Sequence, residues 1–388
     1  MDIAAFHSGL NIKRGASLAF MNVLISLKGR GHDVRAYSFQ VDGWFEERFR
    51  EAGIPSTSLD HHQVAPMGVH LILTNNRRAR RVFRRLKGEF ESADVAYLQD
   101  NQWTPHFLPI LDMPTVYYCN EPPRHHYEPD LVNVTARKKV GKALGSISRS
   151  MDKAADRSAV AHADLICANS DYSREYIDRV YGVRSTTVYL GVDHQVFAPD
   201  PATEKEDMVV SVGALYPLKA HDFIIRSLAQ VDESIRPRLM LVGHGYQRAE
   251  LEAMARSSGV DMEVVSEIDT PRLAALYRRA KLTLVAHIRE PFGLVSIESQ
   301  ACGTPVVAVG EAGLMETVRE DTGILTGRDE REFAGAVDQL LRDDPRRQSM
   351  GEEGRAHVVE AFNWERTGVQ MEGLLQEAIE RHGAGGGS

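Results

Sequence analysis

The chain has 388 residues and a formal net charge of −8, and its 43% hydrophobic and 26% charged residues are typical of soluble globular proteins. The length predicts two or three domains, and no apolar run approaches the roughly 20 residues that a membrane-spanning helix needs. The acidic net charge, and the absence of aromatic residues regularly interleaved with the basic ones, argue against a nucleic-acid-binding protein.

The N-terminal segment MDIAAFHSGLNIKRG has an acidic residue at its second position and soon reaches a glycine, which is not the pattern of a signal peptide. The cysteines Cys119, Cys167 and Cys302 are widely separated and lie in apolar surroundings. An odd number of such cysteines indicates buried, reduced thiols rather than disulfides. We therefore expect a cytoplasmic protein.

Short β-rich runs alternate with helical patterns in the first half of the chain. The predicted strands are DIAAFHS, DVRAYSF, HLILT, DVAYLQ, TVYYC, DLICAN and TTVYLG. Between the first two, SLAFMNVLISLKGRG has apolar residues at helical spacing and a glycine where the helix would stop. This alternation predicts a parallel sheet that is covered by helices on both faces.

Two basic segments concentrate positive charge in the first half. RRARRVFRRLK, from Arg77 to Lys87, holds seven basic residues and no acid, and a second segment runs from Ala136 to Arg157. If the first is a helix, its apolar stripe (Val82, Phe83 and Leu86) suits peripheral attachment to anionic lipid headgroups, with about 1 kcal/mol from each basic residue. The alternatives are a solvated helix or a docking patch for an acidic partner. The membrane interpretation would place the protein on the inner face of the membrane.

The second half repeats the strand pattern after a linker-like segment, APDPATEKED at 198–207. Its predicted strands are MVVSVG, RLMLVG, EVVS, LTLVA, PVVAV and GILT. We therefore predict an α/β protein with two doubly wound, Rossmann-like domains at 1–197 and 198–365, and a ligand site in the cleft between them. Residues 366–382 are predicted to form a terminal helix, and 383–388 a flexible tail.

One stretch, HIREPFGLVSIESQACGTPVV at 287–307, combines two glutamates with the start of a helix. The first N–H groups of a helix lack internal partners, and with the helix dipole they favour an anion or a polyhydroxyl ligand. Gly293 would allow a ligand to approach the backbone closely. Glu290 would accept hydrogen bonds from ligand hydroxyls at the rim, and Glu298 would accept hydrogen bonds from two vicinal hydroxyls. The alternative is that both glutamates are simply solvated. A glycosidase pair is disfavoured, because eight residues of helix span about 12 Å whereas hydrolase carboxylates lie about 5–9.5 Å apart.

The segment EPFGLVSIESQACGTPVVAVGEAGLMETV resembles family 4 of the retaining glycosyltransferases, which are two-domain enzymes with the GT-B fold. The shared feature is a glutamate, seven residues and a second glutamate, with Phe-Gly after the first. The likeness continues at VVSVGALYPLKAHDFIIRSL, LMLVGHGYQRAELEAMA and PRLAALYRRAKLTLVA, and in the first half at RGASLAFMNVLISLKGRGHDV, ADLICANSDYSREYI and YLGVDHQVFAPD. The resemblance implies a nucleotide diphosphate sugar, a UDP- or GDP-sugar, as donor, and a glycan or a lipid-linked glycan as acceptor.

The resemblance also implies roles for individual residues. Lys219 would bind the donor diphosphate and Glu290 the hydroxyls of the donor sugar, and these two are the candidate catalytic residues. The remaining donor-binding candidates are the backbone at Phe292, Gly293 and Leu294, the ribose ligand Glu298, the loop glycines Gly243 and Gly245, and Gly15 facing the diphosphate across the cleft. The acceptor-side candidates are Asn120, Glu121 and Arg124, although a rigid proline turn with incidental charges is an equal alternative there.

The chain departs from the family pattern at the diphosphate site. Ala214 stands five residues before Lys219, where the family usually has an arginine, and Arg289 and Arg14 are candidates to replace its charge. No Asp-x-Asp motif and no His/Cys metal spacing occurs, so we predict neither a metal nor a cofactor. As in the family, the leaving phosphate would take the acceptor proton on the same face and the anomeric configuration would be retained. The alternatives are a nucleotide-sugar-binding protein or weakened partner subunit without transferase activity and, more remotely, a dinucleotide-dependent dehydrogenase.

Overall fold

The computed structural model describes residues 1–13, 15–59, 72–101, 103–132 and 140–385. These form two compact units: unit 1 comprises 1–190 and 364–388, and unit 2 comprises 191–363. The compact units divide at 190/191, whereas the sequence predicts a domain boundary at 197/198. Pro199 and Asp200 lie within unit 2 and not between the units.

Unit 1 is built on a parallel sheet with the order β3-β2-β1-β4-β5-β6-β7. Its strands are Asp2–His7 (β1), Asp33–Ser38 (β2), Ser56–Ser58 (β3), Val95–Gln99 (β4), Thr115–Tyr118 (β5), Leu165–Ala168 (β6) and Thr186–Thr187 (β7). The central strands are apolar and buried, as both-face coverage by helices requires. The order reverses beside β1, and in such sheets ligands bind beyond the carboxyl ends of the strands at this reversal.

The helices of the first 190 residues are Gly15–Gly29 (α1), Gly43–Glu51 (α2), Ile72–Phe90 (α3), Arg124–Tyr127 (α4), Pro129–Val132 (α5), Val140–Val160 (α6) and Asp171–Tyr181 (α7), with a 3₁₀ helix at Thr104–Ile110. Helix α7 shows how the local sequence sets the ends of a helix. The Ser170 hydroxyl accepts from the Ser173 N–H at its start, and Gly182 is left-handed at its end.

One predicted strand of the first half is wrong, and one strand was not predicted. Residues 70 and 71 of HLILT lie outside the described residues, while Ile72–Thr74 open helix α3. A short apolar run does not distinguish a strand from a buried helix, and here the helical spacing of the following residues decides. Strand β3 escaped prediction because its sequence, STS, has no apolar residue.

The apolar stripe that motivated membrane attachment is buried inside unit 1. Phe83 is fully buried and Val82 and Leu86 are nearly so, and all three belong to the main hydrophobic core of this unit. The rings of Phe83 and Phe107 stack with centroids 4.4 Å apart. The stripe therefore anchors α3 to its own sheet, and this correction removes the apolar part of the membrane argument. Exposed arginines remain on α3, at Arg81, Arg84 and Arg85.

Unit 2 has a six-stranded parallel sheet with the order β10-β9-β8-β11-β12-β13. The strands are Met208–Val212 (β8), Arg238–Val242 (β9), Met262–Val265 (β10), Leu282–Val285 (β11), Val306–Val309 (β12) and Gly323–Thr326 (β13). All six lie where the sequence predicts them. The two sheets confirm the prediction of two doubly wound, Rossmann-like α/β domains.

The helices of unit 2 are His221–Leu228 (α8), Arg248–Ser257 (α9), Thr270–Arg279 (α10), Leu294–Ala301 (α11), Leu314–Thr317 (α12), Glu330–Arg342 (α13) and Asp344–Ala361 (α14), with a 3₁₀ turn at Pro217–Lys219. The core of this unit lies between β8, β9 and β11 on one side and α8 and α13 on the other. It fixes the carboxyl ends of these strands, where the predicted donor residues lie.

The terminal helix is longer than predicted and packs on unit 1. Helix α15 spans Trp364–Gly385, so it begins two residues before 366 and includes part of the predicted tail; 386–388 lie outside the described residues. It packs along α1, where the Ser26 hydroxyl donates to the carbonyl of Trp364 at 2.9 Å and Glu372 pairs with Arg30 and His32. Among the described helices, none combines the length and the apolar character needed to cross a membrane.

Candidate functional site

The predicted donor residues of unit 2 gather at one edge of its sheet. Strands β9, β8 and β11 are neighbours and parallel, so the loops after them leave the sheet side by side. These loops carry Gly243 and Gly245 after β9, Lys219 after β8 and Glu290 after β11. Residues separated by up to 71 positions are thereby brought into contact.

Lys219, Glu290 and His287 form a three-way polar contact. The Lys219 ammonium lies 2.6 Å from Glu290 Oε2, and His287 Nδ1 lies 2.8 Å from the same oxygen. Lys219 Nζ and His287 Nδ1 are 3.2 Å apart, and His287 Nε2 lies 3.1 Å from the carbonyl of Val212. His287 is almost fully buried, whereas the side chains of Glu290 and Lys219 are 18% and 29% exposed. His287 thus contacts the two partly exposed charged groups from their buried side.

Burial acts to raise the pKa of Glu290, but the adjacent Lys219 and His287 outweigh it and hold this pKa well below its ordinary value. The pKa of His287 is lowered, first by burial and then by Lys219. Glu290 is therefore a stable carboxylate at neutral pH. Only its Oε2 oxygen is used by protein donors among the described residues, so Oε1 is free to accept from a ligand.

Helix α11 opens beside Glu290. Gly293 caps it in a left-handed conformation with φ +107°, and the N–H groups of Leu294 and Val295 have no acceptor in the part of the chain that the structure describes. The Phe292 side chain is buried edge-on against Phe362, with ring centroids 5.5 Å apart. A ligand at this turn would therefore meet the backbone of Phe292, Gly293 and Leu294, and would not meet the aromatic ring.

The need for glycine at position 293 has a different origin from the one predicted. A Cβ there would lie 2.8 Å from Leu314 Cδ2 and 3.1 Å from the hydroxyls of Ser296 and Thr317. The side on which a Cβ would project is thus filled by protein atoms and not by space for a ligand. Left-handed backbone and close packing together require this glycine.

Gly243 and Gly245 bring the loop after β9 against the loop after β8. A Cβ on Gly243 would lie 1.9 Å from the Gly213 carbonyl oxygen, and a Cβ on Gly245 would lie 2.4 Å from that of Leu215. Backbone hydrogen bonds join the same loops, from Gly213 to Val242 and from Leu215 to the His244 carbonyl, both at 2.9 Å. These glycines therefore allow two loops of the candidate site to pack directly against each other.

Glu298 lies in the middle of α11 and accepts a hydrogen bond from the Tyr277 hydroxyl at 3.0 Å. Burial raises the pKa of Glu298 to about 7, and the Tyr277 hydrogen bond opposes this only in part. The carboxyl is therefore partly protonated near neutral pH. As an acceptor of ribose hydroxyls it would act in its ionised form.

The raised pKa of Glu298 predicts a pH-dependent stability. Because the folded protein holds this proton more tightly than the unfolded chain, the stabilisation is present below pH 4.5 and lost as the pH rises to about 7. Over this range we expect the wild type to lose roughly 2–3 kcal/mol relative to Glu298→Gln. Urea unfolding of both proteins across the range measures the difference. Parallel pH profiles would contradict the prediction.

Two arginines, Arg289 and Arg14, were the candidates to replace the charge that is missing at Ala214. Arg289 is exposed, has a left-handed φ of +48°, and its N–H donates to Glu311 at 3.0 Å. Arg14 lies outside the described residues. Arg328, which sequence reasoning did not select, donates to the carbonyls of Ala286 and His287 at 2.9 and 3.3 Å and braces the loop that carries Glu290.

The acceptor-side candidates of unit 1 follow β5 and interact with their neighbours. Arg124 Nε donates to Glu121 Oε2 at 2.6 Å and lies 3.8 Å from Glu128, while the Glu121 carbonyl accepts from Asn101 at 2.9 Å. Asn120 Oδ1 lies 3.5 Å from Gln99 Nε2. The loop is therefore ordered by internal ion pairs, in keeping with the alternative of a rigid turn with charges. Gly15 is exposed at the first position of α1.

Sequence reasoning missed two residues of note at these edges. His287 was overlooked because a lone histidine after a strand carries no signal, although its position three residues before Glu290 could have directed attention to it. Asp100 follows β4 with φ +107° and accepts from the Ser8 hydroxyl, and burial lowers the pKa of neighbouring His7 against the opposing charge of Asp100. A non-glycine residue in this backbone region is uncommon and often marks a functional site.

A cavity of about 560 Å³ lies at the opposite edge of unit 2, and its lining includes both basic and acidic side chains. Lys205 donates to the Ala280 carbonyl at the end of α10, Arg355 to that of Ala301 at the end of α11, and Arg347 to that of Leu340 near the end of α13. Cations at helix C-termini neutralise the negative ends of the helix dipoles. These three cations are therefore already engaged by helix carbonyls. No group of three His, Cys, Asp or Glu among the described residues is placed to hold a metal ion.

Two family models match almost all of the chain. The one described as Glycosyltransferase Family 4 matches residues 14–196, and the one described as Glycosyl transferases group 1 matches residues 194–357. Among curated proteins, the D-inositol 3-phosphate glycosyltransferase of Kribbella flavida is 36% identical over 251 residues, covering 58% of this chain and 59% of its own length. That of Thermobifida fusca is 35% identical over 242 residues, covering 56% and 55%. The chain thus spans less than three fifths of these relatives.

Solved structures extend the likeness over the whole fold. Sucrose-phosphate synthase from Thermosynechococcus elongatus matches with a TM-score of 0.78 at 19% identity, covering 98% of this chain and 99% of its own. Anabaena HepE in complex with UDP-glucose matches with a TM-score of 0.73 at 20% identity, covering 97% and 100%. At these identities the likeness shows the fold, which is GT-B as predicted.

Proposed function

Since this chain belongs to glycosyltransferase family 4, we propose that it is a metal-independent, retaining glycosyltransferase that moves a hexose-type sugar from a nucleotide diphosphate sugar to a hydroxyl acceptor. The observation that carries this proposal is the pairing of Lys219 with Glu290 beside the open N-terminus of α11. A cation, a carboxylate with a free oxygen and unpaired N–H groups suit a ligand with phosphate and hydroxyl groups.

We assign the donor contacts as follows. The Lys219 ammonium binds the diphosphate, and Oε1 of Glu290 accepts from hydroxyls of the donor sugar. The N–H groups of the α11 turn, from Gly293 to Val295, bind sugar or phosphate oxygens. Ionised Glu298 accepts from the ribose, and the loop with Gly243 and Gly245 borders the nucleotide. Gly15, at the start of α1, remains a proposed diphosphate contact from unit 1.

For the reaction itself, the acceptor hydroxyl attacks the anomeric carbon on the face that the diphosphate leaves. The bond between that carbon and the phosphate oxygen breaks, and the leaving phosphate takes the acceptor proton. The charge that develops on the phosphate is stabilised by Lys219 and the α11 amides, which are fixed in place before the reaction. The proposed reaction therefore requires no metal ion.

The donor and acceptor are proposed from similar proteins. Anabaena HepE was solved with UDP-glucose, which makes a UDP-sugar the first donor to test and a GDP-sugar the second. The acceptor is proposed to be a glycan or a lipid-linked glycan near Asn120, Glu121 and Arg124. The curated relatives are named for D-inositol 3-phosphate, so a phosphorylated polyol is the second acceptor class to test.

We propose that contact with an anionic membrane is purely electrostatic. The exposed arginines of α3 attract anionic headgroups, but the apolar residues of the same helix are buried. Such binding weakens steeply as salt rises. A cytoplasmic location with reversible attachment to the inner face of the membrane fits this surface.

The proposed function is tested by a thermal-shift panel of UDP, GDP and ADP, followed by mass spectrometry of products with the best donor. Stabilisation by one nucleotide and transfer of its sugar to an acceptor or to water is the expected result. Stabilisation without donor consumption would instead establish a nucleotide-sugar-binding protein, an alternative that the missing arginine at Ala214 keeps open. No stabilisation by any nucleotide would reject both functions.

Metal independence gives a simple expected result. Because the proposed charge partners are Lys219 and backbone N–H groups, transfer measured with excess EDTA should stay within about twofold of transfer measured with Mg²⁺. A metal-dependent glycosyltransferase assayed in parallel shows that the chelation is effective. Loss of activity in EDTA that returns with Mg²⁺ would contradict the proposed mechanism.

A further inference from the structure

Two nitrogen atoms lie within hydrogen-bond distance of the same oxygen of Glu290, but in the resting state only one of them can donate to it. Lys219 Nζ and His287 Nδ1 lie 2.6 and 2.8 Å from Glu290 Oε2. The other ring nitrogen of His287 lies 3.1 Å from the Val212 carbonyl, which only accepts. Nε2 therefore carries a proton, and a neutral imidazole keeps only a lone pair at Nδ1.

With a lone pair at Nδ1, His287 accepts from Lys219 at 3.2 Å but donates nothing to Glu290. The ammonium group then serves both the carboxylate and the imidazole. In this resting arrangement Lys219 is the one lysine or arginine that pairs with Glu290 among the described residues. The proposed function, however, requires the same ammonium group for the donor diphosphate.

A diphosphate that draws Lys219 away would leave Glu290 largely buried and without its cation. Removing one partner from a buried ion pair is strongly unfavourable. His287 Nδ1 is already within hydrogen-bond distance of the carboxylate, so a single proton on Nδ1 restores a charge-assisted hydrogen bond. No movement of the protein backbone is needed.

Resting on the proposed function, we propose that His287 is a positioning residue that takes up a proton when the donor engages Lys219, and then holds Glu290 in place for the sugar hydroxyls. The imidazolium formed in this way also adds a positive charge near the diphosphate. It thus supplies part of the charge that the family's arginine provides and that Ala214 lacks.

The groups that face His287 are consistent with this exchange. Lys219 disfavours its protonation in the resting state and Glu290 favours it, so the departure of Lys219 tips the balance. His221, whose ring centroid is 6.4 Å away, is neutral, because burial lowers its pKa to about 3. Arg328 donates to the His287 carbonyl and pairs with Glu311, so its charge is compensated.

The test is isothermal titration of the full chain with UDP at about pH 8, in buffers of different ionisation enthalpy. Near this pH, Glu298 is mostly ionised and the titration of UDP itself is common to all variants. The wild type is expected to take up close to one more proton per UDP bound than His287→Gln. His221→Gln, which removes a neighbouring buried histidine, should behave as the wild type.

We also expect His287→Gln to bind UDP about tenfold or more weakly, because Glu290 then loses a charge-assisted partner. His287→Asn provides a second variant if the first unfolds, and the melting temperature of each variant is measured alongside. Equal proton uptake in the wild type and a folded variant would overturn the role of His287 while leaving the proposed function intact. If neither UDP nor another nucleoside diphosphate binds the wild type, both proposals fail together.

Discussion

Lys219→Ala is expected to lower the rate of sugar transfer by about two orders of magnitude or more, with the fold retained. Lys219 ends the 3₁₀ turn Pro217–Lys219, and its side chain is 29% exposed, so alanine leaves no buried void. What is lost is the only cation within hydrogen-bond distance of Glu290 among the described lysine and arginine side chains. Without it, the charge on the leaving diphosphate is met only by backbone N–H groups and by His287.

The matched control for this variant is Lys281→Ala. Lys281 is also in unit 2, is 25% exposed and pairs with Asp207 at 2.8 Å, but it precedes β11 at the edge of the sheet away from the site. Steady-state kinetics of both variants, with circular dichroism to verify folding, distinguishes the specific effect of losing Lys219 from the general effect of losing a lysine charge in unit 2. Turnover of Lys219→Ala within a few-fold of the control would remove Lys219 from the mechanism.

Gly243→Ala is expected to destabilise unit 2 by about 3 kcal/mol or more and to lower the melting temperature by several degrees. The new methyl group would lie 1.9 Å from the Gly213 carbonyl oxygen, which is backbone and has no rotamer to change. Relief requires the loops after β8 and β9 to separate, and this breaks the hydrogen bond from Gly213 to Val242. Nucleotide binding should weaken as well, because the β8 loop carries Lys219.

Gly335→Ala is the control for the same chemical change. Gly335 lies within α13, and a Cβ there would meet no heavy atom within 4 Å. Alanine is the better helix former by about 1 kcal/mol, so this variant should be as stable as the wild type or slightly more stable. Differential scanning calorimetry compares the two. A Gly243→Ala protein that melts with the wild type would show that the two loops are not held as tightly as the contact distances indicate.

The strands of unit 2 could be predicted from sequence because each is a short β-branched or aliphatic run bounded by turn residues. The same rule failed at HLILT, since an apolar run this short is also compatible with the first turn of a helix. It also failed at Ser56–Ser58, an edge strand whose pairing depends on β2 rather than on its own side chains. Hydrophobic periodicity in a sequence reflects which side chains are buried, and a three-residue polar edge strand buries little of its side-chain surface.

For the candidate site, the sequence was sufficient to bring Lys219 and Glu290 to one edge, because both follow strands of a parallel sheet. It was not sufficient to show their contact or the histidine beneath them, which depend on the order β9-β8-β11. The glycines illustrate a second limit. The sequence predicts that Gly243 approaches a nucleotide, whereas a Cβ at this position would meet the backbone of Gly213. The Val82, Phe83 and Leu86 stripe was interpreted as an outward face because charge pattern alone does not show which side of a helix meets a sheet.

Helix α15 has a consequence for how this protein is made. It packs along α1, and Gly368 lies so close to Ser26 that an added Cβ would come within 2.0 Å of the Ser26 hydroxyl oxygen. Residues 1–190 leave the ribosome first, yet they lack this helix until the 173 residues of unit 2 have also been synthesised. During that interval the face of α1 that α15 later covers is open to other chains. Until α15 is synthesised, we therefore expect unit 1 to be more prone to association with other chains than the complete protein.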